Sequence, residues 1–302
     1  MKQKHLLKLL DYSKQEIIEL LDLADRLKAE QKAGIKHHLL AGKTLGMIFE
    51  KSSTRTRVSF EVGMFQLGGH ALYLNANDMQ IGRGEPICDT ARNLSRYLDG
   101  IMIRTFAHSV VEDFAKFGSV PIINGLTDTY HPCQVLADLQ NIREKFGKLE
   151  GLKMVFVGDG SDNMANSLVV GGLKVGMQVT VASPKKYKLA DEVLEYAMDK
   201  NFTLTEDIFE AVKDADIVIA DVFASMGQEA EQAKRLQELM PYQLNHKVMA
   251  VAKKTAIVQH CLPAKRGQEI TAELFEEHAT HIFDEAENRL HAQKAVLVKL
   301  LG

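Results

Sequence analysis

Apolar positions along the chain alternate between two rhythms. Short unbroken runs, bounded by glycine or polar residues, have the length and β-branched content of buried strands. Such runs lie at Thr44–Phe49, Gly100–Arg104, Val120–Asn124, Lys153–Val157, Gln178–Ala182, Asp216–Val222 and Ala256–Gln259. Between them the apolar residues return at helical spacing. Ile17, Leu20, Leu21, Ala24 and Leu27 form one stripe, and Ser13 with Glu16 supplies a capping-box start for it. Val58–Leu67 is a second helix, and Pro132–Phe146 a third, with Val135, Leu136, Leu139 and Ile142 on one side. A last helix covers about Asn288–Leu301. Strands that alternate with helices predict an α/β fold of mostly parallel sheets flanked by helices. The 302 residues are enough for two such domains. The polar stretch Lys145–Lys153 is one place for the boundary; Pro132 is preferred, because the helix it opens is long enough to bridge two domains.

Composition narrows the class. With 46% hydrophobic and 25% charged residues the chain is an ordinary globular protein, without repeats or low-complexity segments. A net charge of -3 argues against a general nucleic-acid binder, yet leaves room for one small anion held by a local arginine cluster. No apolar run approaches the ~20 residues of a membrane span. The opening residues lack the apolar core of a signal peptide. Cys88, Cys133 and Cys261 form no disulfide framework, which fits a reducing compartment. The expected location is the cytoplasm. No zinc-ligand spacing occurs, so neither a metal nor a cofactor is expected.

Three turns carry candidate chemistry. In Lys51-Ser52-Ser53-Thr54-Arg55-Thr56-Arg57 a helix start supplies N–H groups and partial positive charge, the hydroxyls add donors, and Arg55 adds a planar fork for phosphate oxygens. Arg55 and Arg57 are two apart and cannot share a face, so Arg55 is assigned to a ligand and Arg57 to a structural ion pair. Taken alone, the turn reads equally well as a capped helix with a solvated charge run. His131-Pro132-Cys133-Gln134 places Pro132 at a first helical position, with His131 and Gln134 beside it to bond a carbonyl and Cys133 as packing. His260-Cys261-Leu262-Pro263 follows a strand, where α/β proteins bind ligands. There Cys261 is a nucleophile, a base or, as is commonest across proteins, a buried small residue. Two further places matter. Gly158-Asp159-Gly160-Ser161-Asp162-Asn163 half-matches a dinucleotide loop, with Asn163 where the third glycine belongs. Asp221, followed by Ser225-Met226-Gly227, offers a carboxylate and polar groups to a charged amine.

In this order and spacing, the three motifs resemble the signature of the aspartate/ornithine carbamoyltransferase family over essentially the whole chain. Asp221 with Ser225-Met226-Gly227, Asn163 in its Asp-Asn-Met-Ala-Asn-Ser run, and Glu287-Asn288-Arg289-Leu290-His291-Ala292-Gln293-Lys294 resemble the ornithine branch. The resemblance implies that Ser53, Thr54, Arg55 and Thr56 bind the phosphate of carbamoyl phosphate. Arg104, His131 and Gln134 would contact its carbonyl and bridging oxygens, and Cys261, Leu262 and Arg289 its carbamoyl group. Gln80, in the loop Asp78–Glu85, would reach a neighbouring subunit's site, while Asn163, Asp221, Ser225 and Met226 would hold ornithine. Residues 1–132 would form the carbamoyl phosphate domain, with a C-terminal helix at about 289–302 packing back on it, and residues 133–288 the ornithine domain. A homotrimer or a multiple of it, with sites shared between subunits, is implied, as is a place in arginine metabolism.

The implied reaction is attack of ornithine's δ-amine on the carbamoyl carbon, giving citrulline and phosphate. Arg55, Arg104 and His131 would meet the charge on the carbonyl oxygen. The attacking amine must be neutral, and Cys261 as a thiolate is slightly preferred to Asp221 as its base. The alternatives are a related amine such as putrescine or acetylated ornithine and, in another class, a non-catalytic small-anion or nucleotide-binding α/β protein. Aspartate is disfavoured because the Asp221 region supplies no cation for its extra carboxylate.

Overall fold

The computed structural model describes residues 2–224 and 231–302. Two compact units emerge, one made of Met1–Gln140 with Asn288–Gly302 and the other of Asn141–Glu287. The chain passes between them inside two helices, α5 (Pro132–Phe146) and α12 (Ala279–Leu301).

The first unit begins with α1 (Lys14–Lys32), whose Ser13 cap accepts from the Glu16 N–H while the Glu16 carboxylate accepts from the Ser13 N–H. It continues with β1 (Thr44–Phe49), α2 (Thr54–Gln66), β2 (His70–Asn75), α3 (Ile87–Leu94), β3 (Gly100–Arg104), α4 (His108–Phe117) and β4 (Ile122–Leu126). The four strands are all parallel, in the order β2-β1-β3-β4. Ile48, Ile101, Ile103 and Ile122 pack with Val111 and Phe114 of α4. The C-terminal part of α12 is tied into this unit, for Lys294 Nζ donates to Gln31 of α1 at 3.0 Å and to Gln66 of α2 at 3.1 Å.

The second unit runs β5 (Lys153–Val157), α6 (Asn163–Lys174), β6 (Gln178–Ala182), α7 (Asp191–Ala197), β7 (Phe202–Thr205), α8 (Ile208–Val212), β8 (Ile217–Ala220), α9 (Gln232–Leu239), α10 (His246–Met249), β9 (Ile257–His260) and α11 (Ala272–Glu277). Its five strands are again all parallel, ordered β7-β6-β5-β8-β9. Val155, Val157, Val218, Ala220 and Val258 lie under Ile208, Leu274 and Phe275.

Each strand order reverses once. In the first unit the chain leaves β1 to one side and returns with β3 on the other; in the second, β5 and β8 do the same. Ligands of open α/β sheets bind beyond the carboxyl ends of the strands at such reversals. The candidate motifs follow β1, β3, β5, β8 and β9 at those ends. No helix among the described residues is long and apolar enough to cross a membrane.

Candidate active site

In the first unit the turn after β1 delivers Ser53 to the N-cap of α2, where its Oγ accepts from the Thr56 N–H at 3.2 Å. Helix geometry leaves the first-turn N–H groups without an acceptor inside the helix, so this end suits an anion. Thr54 and Ser53 keep exposed surface and Arg55 is half-buried, whereas Thr56 is buried. Arg57 points elsewhere: its Nε donates to Glu61 at 3.0 Å and its guanidinium lies 3.8 Å from the Tyr73 ring centroid.

Arg104 ends β3. Opposite it, β4 carries one extra residue, with Ile103 paired to Asn124 and Arg104 to Leu126. Such a bulge turns the neighbouring side chain. The extra residue is Gly125, and a Cβ there would meet Met102 Sδ at 2.4 Å, so a larger residue would displace Met102. Arg104 Nη1 donates to Thr56 Oγ1 at 3.5 Å, and Arg289 Nη2 donates to the same oxygen at 3.2 Å. Arg289 Nη1 donates to Gln134 Oε1 at 2.6 Å. Arg104, Arg289, His131 and Gln134 are all buried. Thr56, Arg104, Gln134 and Arg289 thus line one cup, with His131 within reach of the charges of Arg55, Arg104 and Arg289. Gln80 is not among them: it is exposed at the start of the 3-10 turn Gln80–Arg83. Cys133 is a packing residue, fully buried with its thiol facing the Asn124 carbonyl at 3.4 Å, and burial pushes that thiol up to about 12.

The cup is electrostatically positive. Burial holds His131 well below its ordinary 6.5, and the guanidiniums of Arg289, Arg104 and Arg55 push in the same direction. His131 is therefore a neutral hydrogen-bonding group at neutral pH. The same shift bears on stability. Below about pH 6.5 the unfolded chain binds a proton that folded His131 refuses. Its contribution is complete above that pH and is lost as pH falls, by at most about 1.4 kcal/mol per pH unit. His131→Gln is expected to flatten the acid-side decline in urea-denaturation midpoints between pH 7 and 5. An equal decline in both proteins would show that His131 is not the group responsible.

The second unit presents the opposite polarity. Asp221 follows β8, and its Oδ1 accepts from the Val222 N–H at 2.7 Å. Cys261 follows β9, and its thiol donates to the Asp221 carboxylate. Both keep part of their surface exposed. Desolvation raises the Cys261 thiol well above its ordinary 9.0, and the charges of Asp221, Glu285 and Asp162 raise it further. The neighbouring acids oppose a second negative charge at Cys261, which favours the thiol over the thiolate. Asp221 is itself raised from 3.8 by burial, against the lowering effect of His260 and of the Cys261 hydrogen bond.

Behind them His260 and Glu269 are fully buried, with His260 Nε2 3.0 Å from Glu269 Oε1. The Leu262 N–H donates to His260 Nδ1 at 2.9 Å, so the ring's own proton sits on Nε2 and points at Glu269. This contact holds Leu262 at φ 58°, a left-handed conformation unusual for a branched residue. Asp221, His260 and Cys261 offer atoms within 4.8 Å of one another, a grouping that spacing along the chain does not reveal. Both His260 nitrogens are already engaged, so a metal ion there would have to displace a hydrogen bond. Asn163 opens α6 beyond the end of β5, with the adjacent Asp162 capping that helix through Met164 N at 2.7 Å. Ser225 and Met226 lie outside the described residues. Sequence reasoning missed Asp162, Glu269 and Glu285. The only signal for Asp162 was its place in the glycine-bearing turn; the other two stand in ordinary helical or loop surroundings.

Comparison with known proteins adds family-level findings. Residues 4–144 match the model of the aspartate/ornithine carbamoyltransferase carbamoyl-P binding domain, and residues 150–300 that of the Asp/Orn binding domain. The chain is 55% identical to the ornithine carbamoyltransferase of Carboxydothermus hydrogenoformans, covering 97% of this chain and 96% of that one. Among solved structures it is similar to the ornithine carbamoyltransferase of Pyrococcus furiosus, with TM-score 0.92, 51% identity, and 97% and 96% of the two chains covered. It is also similar to the anabolic enzyme of Campylobacter jejuni, with TM-score 0.93, 44% identity and 99% of each chain covered.

Proposed function

The chain belongs to the aspartate/ornithine carbamoyltransferase family, and on that premise we propose that it transfers the carbamoyl group of carbamoyl phosphate to the δ-amine of L-ornithine. The observation that carries this reading is the opposite polarity of two clusters, one in each unit. One is a cup of guanidiniums and hydroxyls around Thr56, and the other a cluster of acids around Cys261. An acyl phosphate anion suits the first, and an ammonium the second.

In this reading Ser53, Thr54, Arg55 and Thr56 hold the phosphate. Arg104, His131, Gln134 and Arg289 surround the carbamoyl end, and Asn163 and Asp221 hold ornithine together with Ser225 and Met226. Cys261 and Leu262 shape the end of β9. The amine enters as a cation, since its free pKa is about 10.4. Asp221, the acid facing the Cys261 thiol, draws the first proton away. The amine nitrogen then bonds to the carbamoyl carbon, the carbonyl oxygen gains charge against Arg104, and the bond to the phosphate oxygen breaks. Phosphate departs as an anion stabilised by the start of α2 and can take the second amine proton.

The assembly proposed is a homotrimer or a multiple of it. Support comes from the apolar surface of the first unit, where Val58 and Phe65 of α2 and Leu72 and Tyr73 of the edge strand β2 are exposed, Phe65 by 80%. Gln80, exposed in its own subunit, fits a role in a neighbour's site. The cytoplasm is the proposed location and arginine metabolism the proposed setting. Parallel assays with carbamoyl phosphate and ornithine, putrescine, acetylornithine or aspartate test the reading. Citrulline formation at a kcat/KM at least about a hundredfold above the other products is expected, as for a site that pairs its substrate's polar groups. A preference for putrescine would overturn the ornithine assignment.

A further inference from the structure

Asp138 lies one helical turn beyond Gln134 on α5 and is buried, 1% exposed, as is Gln134. Gln134 Nε2 donates to Asp138 Oδ1 at 2.7 Å. On its other side, Gln134 Oε1 accepts from Arg289 Nη1 at 2.6 Å. The two ends of an amide are nearly the same shape but opposite in polarity. A carboxylate can only accept and a guanidinium can only donate, so this pair permits one orientation of the Gln134 amide. The oxygen faces Arg289 and the NH2 faces Asp138. Arg289 in turn spends its second nitrogen on Thr56 Oγ1 at 3.2 Å. Arg289 therefore donates both to the start of α2 and to Gln134, and Gln134 donates onward to Asp138 in the interior of α5.

From this geometry we infer that Asp138, which lies behind Gln134 rather than in the cup, is a positioning residue that makes the site select a carbamoyl phosphate over its near-isostere acetyl phosphate. The inference rests on the carbamoyl phosphate reading above. The two ligands differ only in an NH2 where the other has a methyl group. An acceptor oxygen on the cup side of Gln134 rewards the N–H donors of the first and is left without a donor by the second. A flipped amide would present NH2 instead, which repels the carbamoyl amine and is indifferent to the methyl. The selectivity lies in the direction of the amide, and Asp138 sets that direction together with Arg289.

The test compares the KM of carbamoyl phosphate with the inhibition constants of acetyl phosphate and inorganic phosphate, at saturating ornithine, in the full-length enzyme. Asp138→Asn, the same shape but able to donate, removes the obligate acceptor of the NH2 end and leaves Arg289 alone to hold the amide's direction. The expected result is a KM for carbamoyl phosphate raised about tenfold, with both inhibition constants within about twofold of wild type. The double variant Gln134→Glu with Asp138→Asn reverses donor and acceptor across their hydrogen bond, yet keeps an oxygen toward Arg289 and the same total charge. It is expected to bring the ratio of KM to the acetyl phosphate inhibition constant back to within about threefold of wild type, an outcome that a merely structural role for Asp138 does not give. It also carries the test alone if Asp138→Asn fails to fold. A parallel rise of all three constants in Asp138→Asn, or an unrestored ratio in the double variant, would overturn the role assigned to Asp138. If the wild-type enzyme itself shows no turnover of carbamoyl phosphate, the underlying reading and this inference fall together; if it turns over and Asp138→Asn keeps the ratio, only the inference falls.

Discussion

Arg104→Ala is expected to lower kcat by on the order of a hundredfold to a thousandfold, the usual cost of removing one donor that meets a developing oxyanion. Three features of the site combine to make the effect large. Arg104 is buried and held at the bulge around Gly125, so its direction is set before substrate arrives. It shares the Thr56 hydroxyl with Arg289, so its loss also releases one of the two donors that orient that side chain. It contributes to the positive field that keeps His131 neutral. Arg104→Lys is expected to recover little, because an ammonium cannot reproduce a planar fork aimed from the end of a strand. The control is Arg57→Ala. That arginine stands only two residues from Arg55 but is committed to Glu61 and Tyr73, and its loss is expected to leave kcat within about twofold, as for an exposed helical ion pair. Steady-state kinetics on the three variants decide the matter. A kcat for Arg104→Ala within tenfold of wild type would remove the oxyanion role, and a large loss in Arg57→Ala would show that the two arginines were told apart wrongly.

How far the sequence disclosed this arrangement depends on what each residue faces. β1, β3, β5 and β6 stand where the apolar runs placed them, because strands buried on both faces have little choice of composition. The edge strands β2 and β7 escaped notice, since both leave residues exposed and their patterns are broken. The helix α2 begins at Thr54 rather than at Val58. Its first turn is Thr-Arg-Thr-Arg and carries no apolar residue, so hydrophobic periodicity cannot register it. The helix α12 begins at Ala279 rather than near Asn288, since between those points only Ile282 of its large apolar residues is buried while Phe283 is 55% exposed. β4 is displaced toward Leu126 for a different reason: the bulge at Gly125 extends pairing past Asn124. Among site residues the motif positions were legible, since chemistry restricts their types. Their supports, Asp138, Glu269 and Glu285, were not, because a buried acid behind a motif has no sequence spacing of its own. The acidic surroundings of Cys261 were not legible either. They are built from acids brought near by three different segments, and a single run of residues carries no trace of them.

Asp221→Asn is the second substitution expected to have a large effect, and it separates the two roles left at the end of β8 and β9. Removing one partner of a desolvated charge pair costs about 2–5 kcal/mol, or roughly thirtyfold to several thousandfold in kcat/KM for ornithine. Asn cannot accept the ammonium's proton, so the loss is expected in kcat as well as in KM. Cys261→Ser retains a donor toward Asp221 and is expected to cost only about tenfold, a hydrogen-bond-sized change. Because the thiol is raised well above 9.0, it has no ionisation in the working range, and the Ser variant should show the wild-type pH profile. The acid limb belongs to Asp221: its carboxyl is raised above 3.8, and activity falls as pH drops through that raised value and the group protonates. Stability moves the other way. A carboxyl that holds its proton more tightly in the folded chain than in the unfolded one weakens the fold as pH rises past the unfolded value. Asp221→Asn is therefore expected to be more stable than wild type at neutral pH while nearly inactive, the trade that marks a group kept for chemistry rather than for packing. An alkaline limb shifted by Cys261→Ser would restore the thiolate, and an Asp221→Asn enzyme both less stable and fully active would reduce Asp221 to a structural partner of its neighbour's thiol.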